Sequence, residues 1–397
     1  MSGRIVTLEG HDYQYCPDEL PPTADRWQSI MQARFVDELS GLGMTTQISL
    51  STEMSDLYTR MATDGIGGVI GNPFRRFPGL ATNSVEIDMS VKAKRFVGRS
   101  LSRHLGPFNL GVGSPNDYPE FFESIDLGEI AMHREPSVIS GRCAQNSGNS
   151  RTSLSAVDVE LTGVWYQFPA VNDDPLLVMN VPNLLSLTQG LYKDRSVGID
   201  VVRQRDLIPV LGEEKSLLSA VSVGDSKLKL TNRVNLNIGD LVALENEHAE
   251  LVEIIQISNV QGASSENQPA IITLEYPVKR RHRAGVAVVK VTAQIPGANN
   301  DLDRDAITGD QSIFLNSMTN LGNTSIEIID GVGVPEYHVA KIFSVQSDTD
   351  GYFKLPPISR VAQIQIQASR ADLPAPLNLI FSPDYEQAEN NIDLIFD

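Results

Sequence analysis

Cysteine is nearly absent from this chain, with two in 397 residues. A disulfide framework of the secreted kind uses more, so Cys16 and Cys143 read as unpaired, buried thiols. Tryptophan is equally scarce, and aromatic residues make up 6%. That leaves little for a glycan-stacking platform beyond the cluster Tyr118, Phe121 and Phe122. Positive charge is in deficit, with 32 Lys and Arg against 50 Asp and Glu and a formal net charge of −18. Nucleic-acid binding sets Lys and Arg against phosphate, so DNA and RNA are excluded as main partners. No run approaches the ~18 apolar residues of a membrane-spanning helix. The opening MSGRIVTLEGHDYQ has no basic segment followed by an apolar one, so no secretory signal is read. Synthesis in the cytoplasm is expected, with any outside role reached by lysis or as part of a particle.

Catalytic signatures are missing too. There is no GxSxG, HExxH, Walker loop or CxxC pattern. A hydrolase would need a nucleophile–base pair, and none can be named. The six histidines stand at no zinc-ligand spacing from one another. The glycines at 65, 67, 68 and 71 lack the Lys-Ser/Thr of a phosphate loop, and a strand follows them, so they read as turns.

What is present is period-two alternation. Val85, Ile87, Met89 and Val91 alternate with polar residues, as do residues 156–163 and 361–368, and such a pattern argues half-buried strands. Two stretches read as copies of one motif. ThrAspGly at 63–65, a loop with Pro73 and the 84–91 strand match AspThrAspGlyTyrPheLysLeuProPro at 348–357 and its following strand. Further strands are expected at 35–41, 47–51 and 137–142. Five short ones at 227–230, 237–244, 251–257, 270–274 and 285–291 suggest a small barrel or sandwich. Residues 25–34, capped by Asp25, form a helical turn or two. Residues 105–122 and 297–336 read as loops, the latter with short strands, and 170–205 carry no assigned element. Trp27 and Trp165 read as core or interface anchors.

SerGlyArg at 140–142, the 156–163 strand and the 348–357 turn resemble the carboxypeptidase regulatory-like family of transthyretin-like β-sandwiches. The match covers about a quarter of the chain, and residues 34–92 are similar to a diverged second copy. The family's unbroken spacing is not kept here, because a long insertion precedes Asp348. The resemblance implies no cofactor and no activity. The expected fold is mainly β: tandem sandwiches, the second interrupted by a small barrel-like domain. Its divisions are 1–134, then 135–207 with 294–397, and the inserted 208–293. This arrangement is similar to structural proteins of phage-tail-like contractile particles, namely baseplate, cap or fibre-attachment components. Such a protein would act by protein–protein contacts, as a homo-oligomer among other subunits. The alternative is a carbohydrate- or cell-surface-binding module.

Three candidate sites follow. Asp301, Asp303 and Asp305 recur at every second residue, as calcium ligands do, but Ala306 and Ser312 replace the glycine and glutamate such a loop needs, and a polar loop is preferred. Lys279, Arg280, Arg281 and Arg283 form the one concentrated basic run, either a solvated segment or a docking contact for an acidic neighbour. Ile392, Leu394 and Phe396 alternate in an otherwise polar tail, which is expected to add a strand, in cis or to another subunit. GluHisAlaGlu at 247–250 reads as a solvated hairpin tip.

Overall fold

A computed structural model describes residues 4–8, 11–15, 29–52, 59–62, 68–74, 85–105, 123–148, 150–166, 177–180, 183–212, 215–248, 251–262, 265–331 and 333–396. The chain divides into two compact units. One comprises Met1–Arg134 with Gln167–Leu176, and the other Glu135–Tyr166 with Leu177–Asp397.

The first unit holds a three-stranded and a four-stranded sheet, with a separate Arg4–Leu8/His11–Tyr15 hairpin. In the smaller sheet Ser29–Asp37 is central, antiparallel to Gly68–Phe74 and parallel to Glu123–Met132. In the larger, Gln47–Thr52 pairs with Thr59–Ala62 and with Val85–Lys92, which pairs with Arg99–Leu105. Phe35, Met132, Ile48 and Val91 supply buried side chains from both sheets. The helix expected over 25–34 is corrected from residue 29 onward. Residues 29–34 lie in a strand paired on both edges, and that pairing outweighs a weak local helix preference.

The second unit repeats this strand order. Val138–Ser147 is antiparallel to Tyr352–Lys354 and parallel to Glu389–Phe396. Asp158–Tyr166 pairs with Leu177–Asn180 and with Gln363–Ser369, which pairs with Leu377–Phe381. Seven strands correspond one to one between the units, so the mainly β, tandem-sandwich expectation holds. Where residues 63–67 join the third and fourth strands of the first sandwich, residues 181–351 join those of the second. The Gln363–Ser369 strand buries every second residue, and Ile364, Ile366 and Ala368 meet Phe353, Leu394 and Phe396 in one core.

The turn at 348–351 is set by its own residues. Asp348 Oδ1 accepts the amides of Asp350 at 2.9 Å and Tyr352 at 2.8 Å, the local bonding that makes Asp a turn former. Gly351 has φ +78° and sits so close to the Cys143 carbonyl that a Cβ would lie 2.6 Å from it. Only glycine satisfies both demands. Cys143 is a free, buried thiol, and burial pushes its pKa up to about 11, which makes it inert packing. Cys16 lies outside the described residues.

The connection between those strands folds into a closed barrel. Around the ring stand Glu253–Gly262, Leu241–Leu244, Ala287–Pro296, Val201–Pro209, Thr324–Ile329 and Glu336–Ile342. The pair Ile254↔Tyr337 returns the last strand to the first. Three of these six strands come from outside residues 208–293. Among the described residues no helix is long and apolar enough to cross a membrane.

Candidate functional site

The seam of the barrel is where the chain concentrates its chemistry. A single registered pair joins the closing strands, and their residues on either side point outward. Glu336 and His338 flank Tyr337, and Glu253 precedes Ile254. All three are buried, at 1%, 0% and 0% exposure. Charge so placed has to be paired and hydrogen-bonded.

Glu336 is met from four directions. Arg195 Nη2 is 2.7 Å away, His338 Nε2 is 3.0 Å away, and the amides of Tyr192 and Lys193 donate at 2.9 and 3.0 Å. Arg195 spends its other terminal nitrogen on Asp200 at 2.7 Å. Burial works to raise the Glu336 pKa, but His338, Arg195 and the Tyr192 amide outweigh it and hold the carboxyl below its ordinary value.

Tyr192 carries the network across the seam. Its hydroxyl donates to Glu253 at 2.8 Å, and its ring stacks on Tyr276 with centroids 5.0 Å apart. Burial comes first in pushing its pKa well up, and neighbouring Glu253 adds to it. Glu253 also accepts the Lys279 amide at 2.5 Å and faces His282 Nε2 at 2.8 Å. On the other side of that ring, Nδ1 lies 3.3 Å from Glu245. Burial pulls His282 down, yet the hydrogen bonds and charges of Glu253 and Glu245 prevail and raise it above its ordinary value.

A second charged group lies on the inward face. Glu327 accepts from Arg203 Nε at 2.6 Å, Arg205 Nε at 2.9 Å and Tyr337 Oη at 2.9 Å. Arg203 and Arg205 share the side of their strand with Leu207, which packs against Leu241, Ile254 and Val291. The barrel interior is thus filled, part apolar and part ionic, and is not a channel at this level. Tyr337 presents its backbone at the closing pair and its hydroxyl to this inner group.

The residues singled out from sequence take separate places. Asp301 lies in a short strand opposite Val201, Asp303 pairs with Arg304 at 3.8 Å, and Asp305 accepts the Val197 amide at 2.8 Å. Among the described residues, no three His, Cys, Asp or Glu side chains are grouped to hold a metal ion. The basic run splits in two. Lys279 and Arg280 turn inward: the Lys279 ammonium lies 5.6 Å from the Tyr192 ring centroid and Arg280 donates to the Thr188 carbonyl. Arg281 and Arg283 are exposed. The tail forms the Glu389–Phe396 strand in cis, with Leu394 and Phe396 buried in the sandwich core and Ile392 packed against it. His133 is buried against Glu38 at 2.5 Å. Trp165 is half-buried. Trp27, Tyr118, Phe121 and Phe122 lie outside the described residues, as do residues 249–250 of the hairpin tip.

Arg195, Asp200, Glu253 and Glu336 were not singled out from sequence. The available signal was a charged residue at a buried position of an otherwise apolar strand, as in LeuValGluIleIle at 251–255 and GluTyrHisVal at 336–339.

No family model matches the chain, and no curated protein matches it. Among solved structures, the major pilin subunit of Bacillus cereus aligns at 10% identity over 93% of this chain and 99% of its own, with a TM-score of 0.23. The Bacillus anthracis TIE protein aligns at 8% identity over 93% of this chain with a TM-score of 0.21, and this chain spans about 50% of its length. Similarity of that size does not establish a common fold.

Proposed function

We propose that this chain is a non-enzymatic structural protein that works by holding other proteins at fixed spacing. One observation carries the reading. Among the described residues, the richest set of ionisable side chains (Arg195, Asp200, Glu253, His282, Glu336 and His338) is buried and paired with itself across the barrel seam. An enzyme directs such groups at a substrate. Here they clamp two strands that share a single registered backbone pair.

In its specific form, the protein is a subunit of a phage-tail-like contractile particle, at a baseplate, cap or fibre-attachment position. The carboxypeptidase regulatory-like resemblance of residues 140–142, 156–163 and 348–357 supports that form, because two sandwiches of equal topology and a barrel inserted in the second suit a scaffold. Sedimenting a lysate of the native source and probing the high-mass fraction by mass spectrometry tests it. Co-sedimentation with sheath- and tube-like proteins is expected. Recovery solely as a free, small species overturns the particle reading and puts the surface-binding module first.

A further inference from the structure

A cavity of about 810 Å³ lies among the turn after Val201–Pro209, the 245–248 turn and the segment leading into Ala287–Pro296. Its lining includes Leu211, His248, Leu251, Val289, Arg281 and Arg283. Barrel mouths of this volume are a common place for ligands.

Its side chains are of two kinds. Leu211 is 91% exposed and Leu251 is 43% exposed, and Val289 lies on the strand side that faces the barrel interior. Large apolar groups left open in a concave site mark an interaction surface. Arg281 and Arg283 stand on the rim, both exposed, and among the described residues neither guanidinium has a hydrogen-bond or ion-pair partner. The intervening His282 faces the other way and engages Glu245, so that carboxylate is already satisfied. Glu247 also lines the cavity but forms no ion pair with either arginine.

We infer that the barrel mouth is a docking site for an acidic peptide segment carrying a large apolar side chain, contributed by a neighbouring protein. Two uncommitted guanidiniums suit carboxylates in paired geometry, and the apolar wall accepts the accompanying side chain. Charge complementarity sets the choice. On a chain of net charge −18, two guanidiniums without side-chain partners beside an apolar hollow give an acidic segment a local point of attraction. This inference rests on the structural-protein reading and names how one of its contacts is made.

The test uses the full chain and a fluorescein-labelled peptide, acetyl-Glu-Leu-Asp-Phe-Glu, followed by anisotropy. Binding that weakens with added salt, and by on the order of tenfold or more in Arg281→Ala/Arg283→Ala, is expected. Both arginines are exposed, so the double variant should melt with the parent. Glu247→Gln should keep or strengthen binding. The site is overturned if the peptide does not bind, if the double variant binds equally, or if the matching lysine peptide or an oligouridylate binds better. Loss of peptide binding alongside intact co-sedimentation removes this site and leaves the structural reading standing. Peptide binding without co-sedimentation keeps the site and removes the particle.

Discussion

His282 Nε2 and Glu253 Oε2 lie 2.8 Å apart, and both side chains are buried. Glu253 neighbours the one residue through which the barrel ring closes, so this contact ties a titrating group to the seam.

Stability should therefore depend on pH from two sides. His282 is raised above 6.5. Its contribution is complete below that value and is lost as pH rises through the folded pKa. Glu336 and Glu327 are held below 4.5. Theirs is complete above that value and is lost as pH falls through the folded pKa. Melting temperature should peak between about 4.5 and 6.5. His282→Gln should flatten the alkaline decline and leave the acid one, read by scanning calorimetry across pH.

Glu327→Ala leaves Arg203 and Arg205 facing each other in the barrel interior. Removing one partner of a buried ionic group costs about 3–5 kcal/mol. Tyr337→Phe removes one hydrogen bond to the same carboxylate and should cost about 1–2 kcal/mol. Urea unfolding of the two variants checks both the size and the order.

The parallel pairing of Val138–Ser147 with Glu389–Phe396 requires a bare position at Gly141, where a Cβ would fall onto the Ile392 carbonyl. Gly141→Ala should cost at least about 1–3 kcal/mol, as overpacking does. It should also speed proteolysis of the C-terminal strand. Retention of parental protease resistance would contradict the close approach.

Leu394→Ala should destabilise the second sandwich by about 2–5 kcal/mol, since it empties a core position. Deleting residues 388–397 should unfold that sandwich. A truncated chain that melts like the parent would show that the strand is dispensable in cis.

Calcium at millimolar concentration should not shift the melting temperature. Asp305 already accepts the Val197 amide and Asp303 is beside Arg304, so the three alternating carboxylates do not converge.

The sandwich strands that were legible alternate polar and apolar residues, while Thr59–Ala62, Glu123–Met132 and Leu177–Asn180 carried no assignment. Val85–Lys92 and Gln363–Ser369 announce themselves by period two, and the Asp348–Gly351 turn by its residue types. Alternation in the tail was equally plain. Its partner was not, because a parallel pairing between Val138–Ser147 and the last strand leaves no local mark. The barrel staves outside 208–293 were hidden for a different reason. Val201–Pro209 turns Arg203 and Arg205 inward, and Glu336–Ile342 buries Glu336 and His338 on one side and Tyr337 on the other. Residues that read as solvated by type are interior by position. The ionic groups that complete the barrel are the ones that masked its strands.

The distance along the chain between Ser140 and Asn391, 251 residues, sets a timetable for biosynthesis. The first sandwich has all its strands once residue 132 is made. The second has its opening strand in hand and must wait for its last. At about 5–20 residues per second, translation takes roughly 10–50 s to supply it. Throughout that interval Ile139 and Cys143 lack the neighbours that later cover them. The nascent chain should depend on chaperone protection during this window, and the N-terminal sandwich should be protease-resistant on the ribosome well before the C-terminal one.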